Sequence, residues 1–258
     1  MNETKFNGLG KIYSRYRPTY PKTFIDYLHF GIGISKGSII ADIGSGTGIL
    51  TRQLLDIGKT VFAVEPNKDM RDIAESDLNG IESFRSVNAT AESTTLDDRS
   101  VDFITVAQAF HWFDSAKFKS ECKRILKPNG KAILVWNARV LSAESVKDSE
   151  VINRRFCPRF EGFNGGMRIA LYNEVGLESG NEFDEFFSGE YEIMTFQNDQ
   201  ALDLDSFIGR TLSASYALKE SDEEYPAYIA ALTTCFYKHA VDGEMIMPIV
   251  TTSYAGMV

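Results

Sequence analysis

The sequence has few cysteines, no long apolar run and no excess of positive charge. Its three cysteines, Cys122, Cys157 and Cys235, lie far apart and outside any CxxC or Cys/His cluster, which argues against a disulfide framework or a metal site. No apolar stretch approaches the roughly 20 residues that a membrane-spanning helix needs. The formal net charge of −9 disfavours nonspecific binding to nucleic acid or to an anionic membrane. We therefore predict no metal, no nucleic acid, no membrane and a reducing, cytoplasmic location.

What is present is the composition of an ordinary globular protein. The 258 residues are 43% hydrophobic and 24% charged, which is enough to bury a core without covalent staples. We see no internal repeat and no low-complexity linker, so we predict a single domain over residues 1–258. Within it we expect an N-terminal arm and helix (1–36), a ligand-binding core (37–139), and cap elements with the last two strands (140–258).

Residues 37–139 alternate apolar runs with helical runs. We predict helices after the glycines near residue 48, after Asn67, and after Asp114 or Ser115, the last one stopped by KPNG. Such alternation is typical of a parallel sheet with helices on both faces, which binds ligands beyond the carboxyl ends of its strands. The five predicted strands are GSIIADIG, TVFAVEP, IESFRSV, SVDFITVAQAF and KAILVWNA.

The remainder of the chain has a different character. GEYEIMTFQ and EMIMPIVTTSY are predicted strands, and Pro248 argues for an edge or a bulge in the second. RRFCPRFEGFNGGMR reads as loop and short helix, and two later apolar stripes predict helices near residues 204–212 and 225–236. Four arginines crowd the polar segment, where they form a solvated face or an entrance for an anionic substrate. They are Arg154, Arg155, Arg159 and Arg168.

The most informative stretch is ADIGSGTGIL, residues 41–50, in which Gly44, Gly46 and Gly48 alternate. A glycine-rich turn between a strand and a helix lets a ligand approach the backbone closely and presents free N–H groups to it. A dinucleotide site prefers the spacing G-x-G-x-x-G, and Ile49 stands where the third glycine would be. The spacing therefore weakens the case for a nicotinamide cofactor without excluding it.

ADIGSGTG resembles the first motif of class I S-adenosylmethionine-dependent methyltransferases. The resemblance implies a seven-stranded, mostly parallel Rossmann-like sheet with an antiparallel last strand and a helical cap. It implies that Asp42 acts through water near the cofactor's ammonium group and that Glu65 of FAVEPN binds the ribose hydroxyls. It also implies that the NATAEST segment contacts the adenine, although Thr90 stands where many relatives have Asp. The implied cofactor-binding residues are Asp42, Gly44, Ser45, Gly46, Thr47, Gly48, Glu65, Pro66, Met70, Thr90, Ala91, Glu92, Gln108 and Ala109.

YSRYRPTYP and AQAFHWFD, and more loosely LSASYAL, resemble a narrower group, the small-molecule enzymes similar to trans-aconitate methyltransferase. That resemblance implies a lid over the site and a floor between cofactor and substrate. His111 is the candidate base, Arg17 a candidate clamp for an acidic acceptor, and Tyr13 a third candidate catalytic residue. The implied substrate-binding residues are Tyr13, Tyr16, Arg17, Phe110, His111 and Trp112.

Each of these residues also has a purely structural interpretation. The His111 ring can pack between its aromatic neighbours, Tyr13 and Tyr16 can form a small core, and Arg17 can pair within the arm. Glu92 and Thr90 can cap a helix or lie on the surface. The sequence does not choose between these roles.

The sequence therefore predicts in-line methyl transfer from S-adenosylmethionine to a small molecule, with a carboxylate or a hydroxyl as candidate acceptors. An NAD-dependent oxidoreductase and a non-catalytic S-adenosylmethionine-binding protein remain the alternatives. We predict a monomer or a homodimer.

Overall fold

The computed structural model describes residues 14–58, 60–163 and 181–258. Tyr13 and Arg168 therefore lie outside the described residues. The described strands are β1 (Ile39–Ile43), β2 (Thr60–Val64), β3 (Phe84–Val87), β4 (Val101–Ala107), β5 (Leu126–Arg139), β6 (Tyr191–Gln197), β7 (Gln200–Leu202), β8 (Met245–Met247) and β9 (Ile249–Gly256).

Eight α-helices are described alongside these strands. A π-helical stretch, Tyr27–Ile32, continues the first of them, and a 3₁₀ turn, Phe110–Trp112, follows β4. The helices are α1 (Lys22–Asp26), α2 (Ile49–Leu55), α3 (Lys68–Asp77), α4 (Ser115–Ile125), α5 (Glu144–Phe156), α6 (Asn181–Phe186), α7 (Leu204–Leu212) and α8 (Tyr225–His239).

Seven strands form one sheet in the order β3-β2-β1-β4-β5-β9-β6. Strands β1 to β5 are parallel, and β9 runs antiparallel to both β5 and β6. This confirms the predicted mostly parallel sheet with an antiparallel last strand. The strand order reverses between β1 and β4, which is where an open α/β sheet leaves a crevice for a ligand.

Local sequence determines where two of the helices begin. The Asn67 side chain accepts a hydrogen bond from the Met70 N–H at 3.0 Å, and Asp114 accepts one from the Lys117 N–H at 3.1 Å. Each satisfies a backbone donor that the first helical turn leaves free. The Asn67 cap is confirmed, and of the two predicted candidates for the second cap, Asp114 or Ser115, the structure shows Asp114.

Strand pairing moved one predicted boundary. Strand β5 begins at Leu126, because Leu126 pairs with Val101 across a register shift that accommodates KPNG. In the segment predicted as loop and short helix, RRF forms the end of α5, and only residues 157–163 of that segment are described outside the helix. Helix α4 ends at Ile125 with Leu126 as its C-cap, so it stops directly before KPNG, as predicted.

The predicted strand EMIMPIVTTSY is two strands. Pro248 separates β8, which pairs with β7 in a small two-stranded sheet, from β9. Proline has no N–H to donate to a ladder, so it sits between the strands and β9 is uninterrupted. Neither predicted alternative, an edge strand or a bulge, holds, because Pro248 lies outside both strands and β9 pairs without a register shift between β5 and β6.

Apolar side chains form one core on each face of the sheet and a third core among the elements of the cap. One face packs against α4 and α6, and the other packs against α1 and α2. The third cluster joins α5, α7 and α8 with the small β7–β8 sheet, which the sequence did not predict. No helix in the described ranges combines the length and apolarity that crossing a membrane requires.

Candidate cofactor and substrate site

The glycine turn after β1 is held in a conformation that side chains disfavour. Gly44 and Gly46 have φ values of +66° and +56°, in the left-handed region that glycine enters without steric cost. A Cβ on Gly44 would lie 2.7 Å from the Ala109 Cβ, whereas a Cβ on Gly46 would meet nothing within 4 Å. Gly44 thus permits close packing against the end of β4, and Gly46 faces open space that a ligand can fill.

The acidic residue at the end of β2 contacts this turn directly. The Glu65 carboxylate accepts hydrogen bonds from the Gly46 N–H at 2.9 Å and from the Asn67 N–H at 2.8 Å. Glu65 is only 8% exposed. A carboxylate has about four acceptor positions, so the group can hold the turn and still accept from hydroxyls of a ligand. The structure therefore brings together the predicted loop and its acidic partner.

The neighbouring cofactor candidates Pro66 and Met70 lie at the start of α3. The Pro66 carbonyl accepts a hydrogen bond from Arg71 at 3.2 Å, and Met70 is buried with its N–H on the Asn67 cap. These contacts fix the chain just beyond Glu65. Whether Pro66 or Met70 touches the cofactor stays a prediction.

Asp42 is turned into the protein. It is 1% exposed, and its two oxygens accept hydrogen bonds from the hydroxyls of Thr51 (2.6 Å) and Thr105 (2.8 Å). Burial, with a smaller contribution from the charge of Glu65, raises the pKa of Asp42 to about 6, against the lowering effect of the two hydroxyls. Asp42 thereby joins β1, α2 and β4 beneath the glycine turn. Sequence analysis missed both threonines, although a threonine amid the apolar run of β4 was a usable signal.

The buried carboxyl group gives a pH-dependent prediction. Between the ordinary pKa of 3.8 and about 6, the folded state binds more protons at Asp42 than the unfolded state does. The contribution of Asp42 to the free energy of unfolding therefore falls as pH rises through this window. Relative to Asp42→Asn, which cannot titrate, we expect the wild type to lose up to about 3 kcal/mol between pH 4 and pH 7.

Urea unfolding of both proteins across that range measures this difference. Asp56→Asn, at an exposed position after α2, is the control and should leave the pH dependence of unfolding almost unchanged. Parallel curves for the wild type and Asp42→Asn would contradict the assignment.

Two hydroxyls in the glycine turn are buried and make no hydrogen bond to any described residue. They are the Oγ of Ser45 and the Oγ1 of Thr47. An unsatisfied buried hydroxyl costs free energy unless a ligand or water pairs with it. Both atoms therefore fit a site whose polar partner is a bound molecule.

The predicted adenine segment is fixed from behind. Glu121 on α4 accepts hydrogen bonds from both the N–H (2.7 Å) and the hydroxyl (2.6 Å) of Thr94. Arg124 also donates to Glu121, and these partners lower the pKa of Glu121 to about 2 despite burial. Ala91 is buried within the segment. Glu121 therefore positions this loop, a role that sequence analysis missed.

Glu92 accepts a hydrogen bond from the Asp114 N–H at 2.9 Å. This contact agrees with the capping alternative for Glu92. Thr90 forms an isolated bridge with Ser93, which closes a tight turn. Contact of Thr90, Ala91 or Glu92 with adenine stays a prediction.

The chain leaves β4 through a strained residue. Gln108 has a φ of +58°, which is uncommon for a residue with a side chain. Its N–H donates to the Val135 carbonyl (3.0 Å), and its side-chain amide donates to the Asn137 carbonyl (2.9 Å). These bonds tie the end of β4 to β5, and such strain is often found at ligand sites.

The three aromatic residues after Ala109 lie in different environments. Phe110 is 2% exposed and packs edge-on against Phe186 with ring centroids 5.0 Å apart. His111 is exposed, and its ring is tilted 4.5 Å from that of Trp112. Phe110 therefore belongs to the core, and direct contact of any of the three with substrate stays a prediction.

The N-terminal arm lies against α7. The Tyr16 ring packs where Gly209 lacks a side chain, since a Cβ there would lie 2.5 Å from the ring. The Arg17 guanidinium donates to the Ser213 carbonyl at 3.3 Å. The arm is thus fixed on the cap, its role as a lid stays a prediction, and Tyr13 lies outside the described residues.

The arm is also attached to the sheet and to α2. The Thr19 carbonyl accepts a hydrogen bond from Asn198 at 2.9 Å. The Gln53 side chain accepts from the Tyr20 N–H (3.1 Å) and donates to the Tyr20 carbonyl (2.8 Å). The arm therefore runs from the helix that follows the glycine turn to the helices of the cap.

Comparison with known proteins agrees with this geometry. The methyltransferase-domain family matches residues 41–134. An uncharacterized methyltransferase of Mycobacterium tuberculosis is 41% identical over 127 residues, which cover 49% of this chain and 49% of the relative. A methyltransferase-like protein of Schizosaccharomyces pombe is 37% identical over 128 residues, again 49% of each chain. The chain spans about half the length of these relatives.

Solved structures share the fold at low sequence identity. A candidate type II methyltransferase of Anaeromyxobacter dehalogenans has a TM-score of 0.65 at 20% identity, covering 94% of this chain and 98% of its own. Phosphoethanolamine N-methyltransferase 2 of Haemonchus contortus has a TM-score of 0.54 at 16% identity, covering 99% of this chain and 57% of its own.

The matched segment contains the glycine turn, Asp42, Glu65 and the Thr90 to Glu92 loop. The family match supports S-adenosylmethionine as the cofactor of this site. Residues 41–134 therefore match the methyltransferase-domain family, and they lie in a Rossmann-like α/β fold that solved methyltransferase structures share.

Proposed function

We propose that this chain is an S-adenosylmethionine-dependent methyltransferase that transfers the methyl group in line to a small molecule. The observation that carries the proposal is the contact between Glu65 and Gly46. It places an acidic acceptor and a side-chain-free turn side by side at the carboxyl ends of two adjacent strands, within the segment that matches the family.

The residues of the turn fit the cofactor. Gly46 leaves room for it, the hydroxyls of Ser45 and Thr47 offer unsatisfied polar atoms, and Glu65 can accept from ribose hydroxyls. The cofactor supplies a methyl group on a sulfonium, which is already an activated donor. The chain then has to hold the acceptor in line and exclude water.

A small acceptor is supported by the arm, which bonds to α2, to Asn198 just beyond the carboxyl end of β6, and to the cap. Arg17 holds the arm onto the cap through Ser213, and the net charge of −9 disfavours nucleic acid. His111, Tyr13 and Arg17 stay the proposed catalytic candidates. We also propose a cytoplasmic location, which the free, buried cysteines support, and a monomer or homodimer.

Ligand-dependent thermal stability tests the proposal. We expect S-adenosylmethionine and S-adenosylhomocysteine each to raise the melting temperature, since a ligand at 100 times its Kd stabilises by about 2.7 kcal/mol. NAD is the control and should have no effect. Stabilisation by NAD alone would overturn the proposal in favour of an oxidoreductase.

Methyl transfer is tested separately, by mass detection of methylated products in a metabolite extract supplied with labelled cofactor. A methylated small molecule that depends on the protein is the expected result. Cofactor binding without any product would favour a non-catalytic binding protein.

A further inference from the structure

Three arginines that are distant in sequence lie close enough at the carboxyl edge of the sheet for their charges to act on one another. Arg139 is the last residue of β5, Arg210 lies on α7, and Arg17 belongs to the arm and donates to Ser213 at the end of α7. Arg210 is only 7% exposed. Its Nη1 is buried without a hydrogen-bond partner, and no ion pair among the described residues includes it.

The other two arginines are held by neighbours. The Arg139 guanidinium lies 4.1 Å from the centre of the Phe163 ring, an attractive cation–π distance. Arg17 donates to the carbonyl of Ser213, three residues beyond Arg210 in the sequence. Each guanidinium is thereby fixed in place beside the buried Arg210.

The charges of these arginines act on one another. Burial lowers the pKa of Arg210 well below its ordinary value, and the charges of Arg139 and Arg17 lower it further. Burial and Arg17 likewise lower the pKa of Arg139. An arginine nevertheless keeps its proton inside a protein. Arg210 is therefore a buried positive charge that no described carboxylate compensates, with two further guanidinium groups acting on it, and an anion would stabilise it.

Two tyrosines face the same group. Burial raises the pKa of Tyr216, against the lowering effect of all three arginines. Burial also raises the pKa of Tyr228, whose hydroxyl donates to the Asn153 side chain at 2.6 Å. Both are therefore neutral, so neither neutralises the charge of Arg210.

The arginines lie at the same edge of the sheet as the cofactor turn. Arg139 is two residues beyond Asn137, or about 7 Å along the strand, and the Asn137 carbonyl accepts the Gln108 side chain. Gln108 immediately precedes Ala109, which packs against Gly44. A molecule held at the arginines would thus reach toward the cofactor turn.

We propose that Arg17, Arg139 and Arg210 form an anion-binding site that holds a carboxylate or phosphate group of the methyl acceptor. That the bound molecule is the methyl acceptor rests on the proposed function, whereas anion binding at these arginines does not. Planar guanidinium groups bind both anions in a forked geometry. Acceptor molecules without such a group would be bound poorly.

Calorimetry with S-adenosylhomocysteine already saturating tests this site. The probes are acetate, glutarate, citrate and inorganic phosphate, with glutaramide as the neutral counterpart of glutarate, at constant chloride. We expect at least one anion to bind and glutaramide not to bind. Preference for a carboxylate or for phosphate identifies the group. Binding of no anion, or equal binding of glutaramide, would overturn the proposal.

Arg210→Met supplies the matched variant. It removes a buried charge, so without ligand the variant should be at least as stable as the wild type, while the Kd for the preferred anion should rise at least tenfold. Arg155→Met, an exposed arginine beside Phe156, removes the same charge and should leave that Kd unchanged. If Arg210→Met does not fold, Arg210→Lys should fold and still weaken the anion, since lysine lacks the forked donors. Unchanged anion affinity in the folded variant would refute the site.

A competition experiment separates the acceptor from the cofactor, whose own methionine part bears a carboxylate. Anion and S-adenosylhomocysteine should bind together without competition. Mutual exclusion would place the cofactor's carboxylate at the arginines and overturn the acceptor assignment, while leaving the proposed function intact. Failure of S-adenosylhomocysteine to bind would instead count against the proposed function alone. The anion titrations would then be run on the protein without that ligand, and they would still test the arginine site.

Discussion

Gly46→Ala should weaken binding of S-adenosylhomocysteine at least about tenfold, a loss of about 1.4 kcal/mol, while the protein stays folded. The added methyl group would meet no protein atom within 4 Å, so it would project into the space assigned to the cofactor. Binding is measured by calorimetry and folding by circular dichroism.

Gly80→Ala is the matched control, because it separates backbone strain from loss of the site. Gly80 also has a positive φ, +81°, and also has nothing within 4 Å of its missing Cβ, but it lies beyond α3, away from the turn. Both variants should lose about 1 to 2 kcal/mol of stability. Only Gly46→Ala should lose ligand affinity. Equal affinities in the two variants would contradict the assignment of the turn to the cofactor.

Glu65→Gln should weaken the same ligand about 100-fold. Hydrogen bonds to a charged group are worth about 1.5 to 3 kcal/mol each, and a neutral amide offers one acceptor oxygen where the carboxylate offers two. Some stability should be lost as well, since the amide group would face the N–H of Gly46 or of Asn67.

A ligand lacking the ribose hydroxyls distinguishes a lost contact from a loosened turn. The wild type should bind the dideoxyribose analogue of S-adenosylhomocysteine much more weakly than the parent compound. Glu65→Gln should bind the two nearly equally, because the group that recognised the hydroxyls is gone. If the variant still discriminated between the ligands as strongly as the wild type, Glu65 would not be the ribose acceptor.

Much of the fold was predictable because its signals are local. Alternating strands and helices, the caps at Asn67 and Asp114 and the glycine turn each act within a few residues. The predictions that failed depend on pairing between distant segments. Leu126 joins β5 only because Val101 lies beside it, and Pro248 marks the end of one strand rather than a defect in another.

The site residues fall into the same two groups, those predictable from local sequence and those brought together only by tertiary folding. Glu65 and the glycine turn follow adjacent strands, so their meeting was predictable from strand order. Arg139 and Arg210 gave no sequence signal, because only tertiary folding brings them to Arg17. The sequence drew attention instead to an arginine-rich segment whose Arg154, Arg155 and Arg159 the structure leaves exposed. The burial of Phe110 in the core was likewise not predictable from its motif, and its contact with substrate stays a prediction.

The position of β9 has a consequence for biosynthesis. This strand separates β5 from β6, yet it is the last described strand to leave the ribosome. Until it emerges, the nascent chain has two unpaired strand edges flanking a gap, and such edges invite association with other chains. Completion of the sheet must therefore follow translation of residue 256, which makes protection of the unfinished chain by chaperones valuable.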